Sequence, residues 1–257
     1  MKIVVVGGTG MIGSKLVDAL AGRSLEIEIA SPSRGVDTVT GEGLAEALSG
    51  AQMVVDVSNS PTFDQDAALA FFEASGRNLL AAEEAAGVQH HVVLSAVGTD
   101  RLPDCGYFRA KMMQEVIVRS ANVPYTIVRS TPFFEYINGI VEAAAEGDSL
   151  RISPALIQPI AGDDVALALR DVVLGRAQNR ELEIAGPDRF RLDEIAREIL
   201  AANEDPRPVV ADAKALYFGA VLRNDTLVPG DHQRIAAPTR FEDWLRRYVA
   251  QSLAPAN

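Results

Sequence analysis

Residues 4–16 read Val4-Val5-Val6-Gly7-Gly8-Thr9-Gly10-Met11-Ile12-Gly13-Ser14-Lys15-Leu16. A β-branched run ends at Gly7, and a helical pattern opens near Met11. Gly8, Gly10 and Gly13 fit GxGxxG, while Gly7, Gly10 and Gly13 stand three apart. The chemistry explains the residue type. The first glycine supplies a freely chosen φ for a tight turn. A diphosphate can then approach the backbone with no Cβ in the way, and the last glycine lets helix and strand pack closely. The helix start offers unpaired N–H groups and a partial positive charge. A glycine-rich turn by itself is ambiguous, but this one joins a strand to a helix at the head of a β-α series. Gly7, Gly8, Thr9, Gly10, Met11, Ile12 and Gly13 are therefore expected to hold a dinucleotide.

Working outward, short β-branched runs at 3–6, 26–30, 53–57, 91–95 and 125–128 alternate with helical patterns at 11–21, 64–86 and 108–120. A shorter helix is predicted at 44–48. Such alternation predicts a parallel sheet covered by helices on both faces, its strands apolar through their length. Past Pro132 the pattern changes. Helices are predicted at 133–146, 163–174, 192–202 and 241–250, with strands at 149–152 and 181–184 and a proline-punctuated stretch over 206–238. These strands are too few for an independent sheet. The expected fold is α/β: a doubly wound parallel sheet over 1–131, and a small C-terminal α+β lobe over 132–257 that packs on it and walls one side of a cleft.

The chain has 257 residues, 48% hydrophobic and 23% charged, with a formal net charge of −11. That balance fits a soluble globular protein and disfavours a nucleic-acid partner, since phosphate contact needs a basic surface. No apolar run approaches the roughly 20 residues of a membrane helix. The apolar start is too short for a secretory signal. A single cysteine, Cys105, leaves no internal disulfide framework and no Cys-built zinc site. His90-His91 point to different sides of an extended chain, and no His/Cys cluster supports a metal elsewhere. The expectation is a cytoplasmic monomer or homodimer that acts on a small molecule, without membrane or metal.

The second strand leads into Ser31-Pro32-Ser33-Arg34-Gly35, with no carboxylate before Asp37. Hydroxyls from Ser31 and Ser33 and the Arg34 guanidinium suit a 2′-phosphate better than bare ribose hydroxyls. NADP(H) is thus expected in preference to the alternative, NAD(H). Val57 and Ser58, after the third strand, are candidate contacts to the adenosine side. Ser95 ends the fourth strand, and Tyr107 and Lys111 lie one helical turn apart shortly beyond. In that order, Lys111 would hold the nicotinamide ribose and lower the phenol pKa. Tyr107 would exchange a proton with a carbonyl or alcohol oxygen, and Ser95 would orient that oxygen. Thr131, Phe133, Phe134 and Tyr136 follow the fifth strand and are candidate pocket residues for an aromatic or quinone-like substrate.

The chain resembles the short-chain dehydrogenase/reductase superfamily, in its atypical NmrA-like branch. The resemblance rests on Gly7–Gly13, on Asn78-Leu79-Leu80-Ala81-Ala82 followed by Gly87-Val88, and on Val93-Leu94-Ser95. Further matches are Tyr107-Phe108-Arg109-Ala110-Lys111, Pro124-Tyr125-Thr126-Ile127-Val128-Arg129 and residues 158–166. It implies a Rossmann-like domain, NAD(P)H as cofactor, and a cleft roofed by the C-terminal lobe. It also implies that Ser95, Tyr107 and Lys111 stand at the superfamily's Ser, Tyr and Lys, although Ala96 follows where extended enzymes carry a second serine. The function expected is an NADPH-dependent oxidoreductase that reduces a carbonyl or quinone. The alternatives are a non-catalytic NADP(H)-binding redox sensor and an NAD(P)-dependent epimerase or dehydratase.

Overall fold

The computed structural model describes residues 1–62, 64–230 and 234–252. Along the first half come β1 (Lys2–Val6), α1 (Met11–Leu20), β2 (Glu26–Ala30), α2 (Leu44–Ala47), β3 (Ala51–Asp56), α3 (Gln65–Ala86), β4 (His90–Ala96), α4 (Gly106–Ser120) and β5 (Tyr125–Ser130). Next are α5 (Ile137–Ala143), β6 (Ala145–Glu146), β7 (Ser149–Ile152), β8 (Leu156–Ile157), α6 (Gly162–Val173) and β9 (Glu181–Ala185). The last elements are β10 (Phe190–Arg191), α7 (Leu192–Ala202), β11 (Val209–Ala211), β12 (Leu216–Tyr217), β13 (Ala220–Val221), β14 (Arg234–Ala236) and α8 (Phe241–Ser252).

Among the described residues, seven strands form the central sheet in the order β14-β9-β5-β4-β3-β1-β2. Every pairing in it is parallel. Helices cover both faces, which is why β1 can be apolar at four consecutive positions. Ile3 and Val5 pack with Leu16, Leu20, Val165 and Leu169 on the side of α1 and α6. Val4 and Val6 pack with Leu79, Leu80 and Ile117 on the side of α3 and α4. The two-residue period of the strand thus feeds two separate cores. This is the Rossmann-like α/β fold that the β-α alternation predicts.

The chain beyond residue 131 does two jobs. α6, β9 and β14 extend the central sheet and its helical cover, with α6 against α1. The remainder gathers around Phe134, Ile137, Leu150, Ile195, Phe241 and Trp244 in a third core, which also takes in Leu102, Cys105 and Phe108 from the first half.

Local departures from the predicted elements have identifiable causes. The helix expected over 133–146 is broken into a 3-10 turn at Phe134–Tyr136, α5, and the hairpin strand β6. Phe134 N–H donates to the Ile160 carbonyl at 2.8 Å, which fixes the start of the turn. Gly147, with φ +61, turns the chain back so that β6 pairs antiparallel with β7. In the stretch over 206–238, β11 finds β7 and β14 finds β9 by long-range pairing, which local periodicity does not report.

Candidate active site

A cleft of about 810 Å³ runs along the carboxyl ends of the central strands. The residues just past β2, β3, β4 and β5 line it: Ser31, Ser58, Val97 and Thr131. β2 lies on one side of β1 and β3 on the other, so the strand order reverses at β1. A crevice at such a reversal is where open α/β sheets bind ligands.

At one end lies the glycine turn. Gly7, Thr9, Gly10, Met11 and Ile12 line the cleft. Gly7 has φ +76, and a Cβ there would come within 2.9 Å of the Ser58 backbone. Gly8 and Gly13 do not line the cleft; they let the layers meet. A Cβ on Gly13 would sit 2.1 Å from the Gly7 carbonyl oxygen, and one on Gly8 would sit 2.9 Å from the Val5 carbonyl oxygen. No side chain caps α1, and its first turn holds no acidic residue. Its leading N–H groups and the positive end of its dipole are therefore open to an anion. Ser58 Oγ is buried with no hydrogen-bond partner, and it lines the same cleft. Bare amides, an acid-free helix start and an orphaned hydroxyl fit a dinucleotide.

Ser31 is buried and lines the cleft, with its hydroxyl 3.0 Å from that of Ser33. Ser33 and Arg34 are exposed on the 3-10 turn Pro32–Arg34, at the rim and not among the lining residues. The Arg34 side chain makes no hydrogen bond or ion pair among the described residues. The next carboxylate along the chain, Asp37, accepts the N–H groups of Val39 at 2.7 Å and Thr40 at 3.3 Å. It is occupied with its own turn. Val36 and Thr38 join this wall. Sequence reading passed over both, because nothing in their types marks a ligand contact. Asn78, on α3, anchors the loop by donating to the Thr38 and Val39 carbonyls.

Tyr107 and Lys111 both line the middle of the cleft from α4. The Tyr107 hydroxyl donates to Asn59 Oδ1 at 3.0 Å. Burial, with Tyr136 and Cys105 nearby, pushes the phenol well above its ordinary value, and the Asn59 hydrogen bond offsets only part of this. The expectation that Lys111 lowers the phenol is corrected here. Its ammonium turns back to donate to the Leu94 carbonyl at 2.7 Å and to Gln114 Oε1 at 2.5 Å, above the Phe72 ring at 4.5 Å. Gln114 in turn donates to Asp56 at 2.8 Å. Burial lowers Lys111 to about 8, against the pull of Asp56 and Glu115.

Ser95 lines the same cleft, but its hydroxyl is turned to another partner. Its hydroxyl donates to the fully buried carboxylate of Glu115 at 2.6 Å. That carboxylate also takes two hydrogen bonds from Arg129, at 2.9 and 2.7 Å, and one from Arg119 at 2.6 Å. A buried carboxylate needs such partners, so the serine is absorbed into the cluster that ties β4, α4 and β5 together. The polar side chain placed on the phenol is Asn59, in a segment whose turn-forming composition hid it.

Of the expected pocket residues, Thr131, Phe133 and Tyr136 line the cleft, the two rings stacked with centroids 5.5 Å apart. Phe134 does not. It is 1% exposed and packs on Phe241 and Trp244 in the C-terminal core, because the 3-10 turn aims it inward. Tyr217 and Phe218 line the far wall instead. Cys105 also lines the cleft; burial raises its thiol, which keeps it protonated. His90 and His91 sit at the start of β4 on Thr126 and Glu83. Among the described residues no group of His, Cys, Asp and Glu could hold a metal, and no helix is long and apolar enough to cross a membrane.

A family model described as NAD(P)H-binding matches residues 7–173. The chloroplastic divinyl chlorophyllide a 8-vinyl-reductase of Cucumis sativus is 28% identical over 225 residues, covering 73% of this chain and 53% of that protein. The photosystem II assembly factor Ycf39 of Trieres chinensis is 24% identical over 160 residues, covering 56% and 49%. The chain thus spans about half the length of the curated relatives it matches. Among solved structures, the dTDP-4-dehydrorhamnose reductase of Bacillus anthracis in complex with NADP superposes with a TM-score of 0.74 at 14% identity, over 98% of this chain and 99% of that one. An NADPH-dependent quinone oxidoreductase from Escherichia coli, complexed with NADPH, superposes with a TM-score of 0.64 at 20% identity, over 82% and 77%. At such identities these two likenesses speak for the fold.

Proposed function

The chain belongs to the NAD(P)H-binding family, and on that premise we propose that it is an NADPH-dependent reductase of a carbonyl or quinone-type small molecule. Bound in the cleft, the nicotinamide supplies a hydride. The open end of α1 and the Gly7–Ile12 backbone hold the pyrophosphate, Val57 and Ser58 face the adenosine side, and Lys111 holds a ribose hydroxyl. Tyr107 gives the proton. A phenol held above its ordinary pKa keeps its hydrogen across neutral pH, so it stands as a proton donor rather than as a phenolate base. Asn59 takes the orienting role that sequence assigns to Ser95. Its Oδ1 holds the phenol's one hydrogen until a substrate oxygen takes that hydrogen bond in its place, and the amide N–H groups remain for the same oxygen. Residues 132–257 supply the substrate-facing wall through Phe133, Tyr136, Tyr217 and Phe218. The single observation carrying this reading is the Tyr107 phenol, held by Asn59 and lining the same cleft as the open glycine turn.

The direct test is to incubate the protein with NADPH and a panel of quinones and aldehydes while following the nicotinamide absorbance. Consumption with at least one acceptor is expected. A bound cofactor that is never consumed would instead favour a sensor or an internally redox-neutral enzyme.

Two predictions arise from the cofactor end. Arg34 and Ser33 are proposed to meet the 2′-phosphate. Arg34→Asp should weaken NADPH binding about 10- to 100-fold, the scale of one or two charge-assisted hydrogen bonds, and leave NADH nearly unaffected. Equal affinities for both cofactors in the unaltered protein would remove this assignment. The second prediction concerns Lys111, which loses its proton near pH 8. NADPH affinity should fall as pH rises through about 8, and Lys111→Met should bind more weakly with that dependence gone. The stability effect has the opposite sense. The folded lysine binds its proton less tightly than the unfolded one, so it destabilises the fold below about pH 8. That penalty fades as pH climbs toward the ordinary lysine range.

A further inference from the structure

Resting on the reductase reading, we propose that Phe218 is a specificity-determining wall of the substrate end, and that the cleft selects flat, uncharged, multi-ring acceptors. β12 and β13 form a hairpin in which Leu216 pairs with Val221 and Tyr217 with Ala220. The two residues between them, Phe218 and Gly219, have φ +46 and +90. A two-residue turn with both φ positive is ordinarily built from Asn-Gly or Gly-Gly. Gly219 obeys that rule, and no heavy atom would obstruct a Cβ there. Phe218 breaks it, in a backbone region that a bulky side chain strongly disfavours. Such a conformation persists where the surroundings enforce it, and it concentrates at ligand clamps.

The position of the ring gives the strain a purpose. Tyr217 and Phe218, with Ile140 and Ala143 of α5, line both the main cleft and a small adjoining cavity of about 20 Å³. Phe218 therefore helps partition the two. Its ring meets Tyr217 edge-on at 4.9 Å; Tyr217 meets Phe108 at 6.5 Å, and Phe108 meets Tyr107 at 6.0 Å. An unbroken aromatic row thus leads from the proton donor to the hairpin tip. Leu216 and Val221, 60% and 51% exposed, place an apolar lip beside it. Among the described residues the charged side chains lining the cleft are Asp37 and Lys111, at the cofactor end and on α4. A charged substrate ring would meet no counter-ion along the aromatic row, whereas a flat neutral one gains edge and face contacts throughout.

The test uses Nile red, a flat neutral dye that brightens in apolar surroundings, titrated with and without NADPH into the unaltered protein, Phe218→Ala and Phe218→Gly. Both variants should bind the dye about tenfold more weakly than the unaltered protein, while NADPH affinity stays within about twofold. Glycine should melt about 2–4 °C above alanine, reversing the usual order, because glycine alone relieves the left-handed backbone. Unchanged dye affinity, or alanine melting at or above glycine, overturns the proposal. Failure of the unaltered protein to take up NADPH would count against the reductase reading alone, since the dye titration without cofactor still reads the wall.

Discussion

Tyr107→Phe is expected to lower turnover of NADPH with a quinone or aldehyde acceptor by about 10²–10⁴-fold, the range typical of losing a general acid. The loss should fall on turnover rather than on cofactor affinity, since the ring keeps its edge contacts with Phe72 and Phe108 at 6.3 and 6.0 Å. The hydroxyl and its hydrogen bond to Asn59 disappear. The change should leave the fold intact, so a melting curve close to that of the unaltered protein accompanies the expected result. Turnover within a factor of a few of the unaltered protein would take Tyr107 out of the chemistry.

The second large effect belongs to Gly13→Ala. The added carbon would lie 2.1 Å from the Gly7 carbonyl oxygen and 2.6 Å from the Gly8 Cα. Both neighbours are backbone, so neither can swing aside, and α1 must lift from the turn that it packs against. A clash of this kind costs about 3 kcal/mol or more and lowers the melting temperature on the order of 10 °C. Cofactor affinity should fall with it, because the helix start no longer faces the same point. Gly139→Ala is the control: nothing stands within 4 Å of a Cβ there, and α5 gains from alanine's helix propensity. Thermal melting and NADPH titration of both variants check the pair. A Gly13→Ala protein that melts and binds like the control would show that α1 does not depend on this contact.

The glycine turn was legible in the sequence because local rules govern it. A glycine appears where a Cβ would strike backbone, as at Gly13, and such positions are written directly into residue type. The strands were readable for a related reason: burial on both faces demands unbroken apolar runs such as Ile3–Val6. The substrate half depends on tertiary choices that spacing does not encode. Ser95 ends the expected strand and lines the cleft, yet the partner of its hydroxyl is a carboxylate twenty positions later. Phe133 and Phe134 are adjacent and chemically identical, and only the 3-10 turn sends one to the cleft and the other to the core. Phe218 lies in a stretch that carries no helical or strand period at all. Its one local signal was the Gly219 that follows, the usual second residue of a tight hairpin turn.

Isothermal titration of NADPH, and separately of NADH, into the unaltered protein tests the reductase reading most directly. Uptake of one NADPH per chain, at least tenfold tighter than NADH and weakening above about pH 8, is the expected outcome. A folded sample, shown by a cooperative melt, that releases no heat with either nucleotide would contradict it.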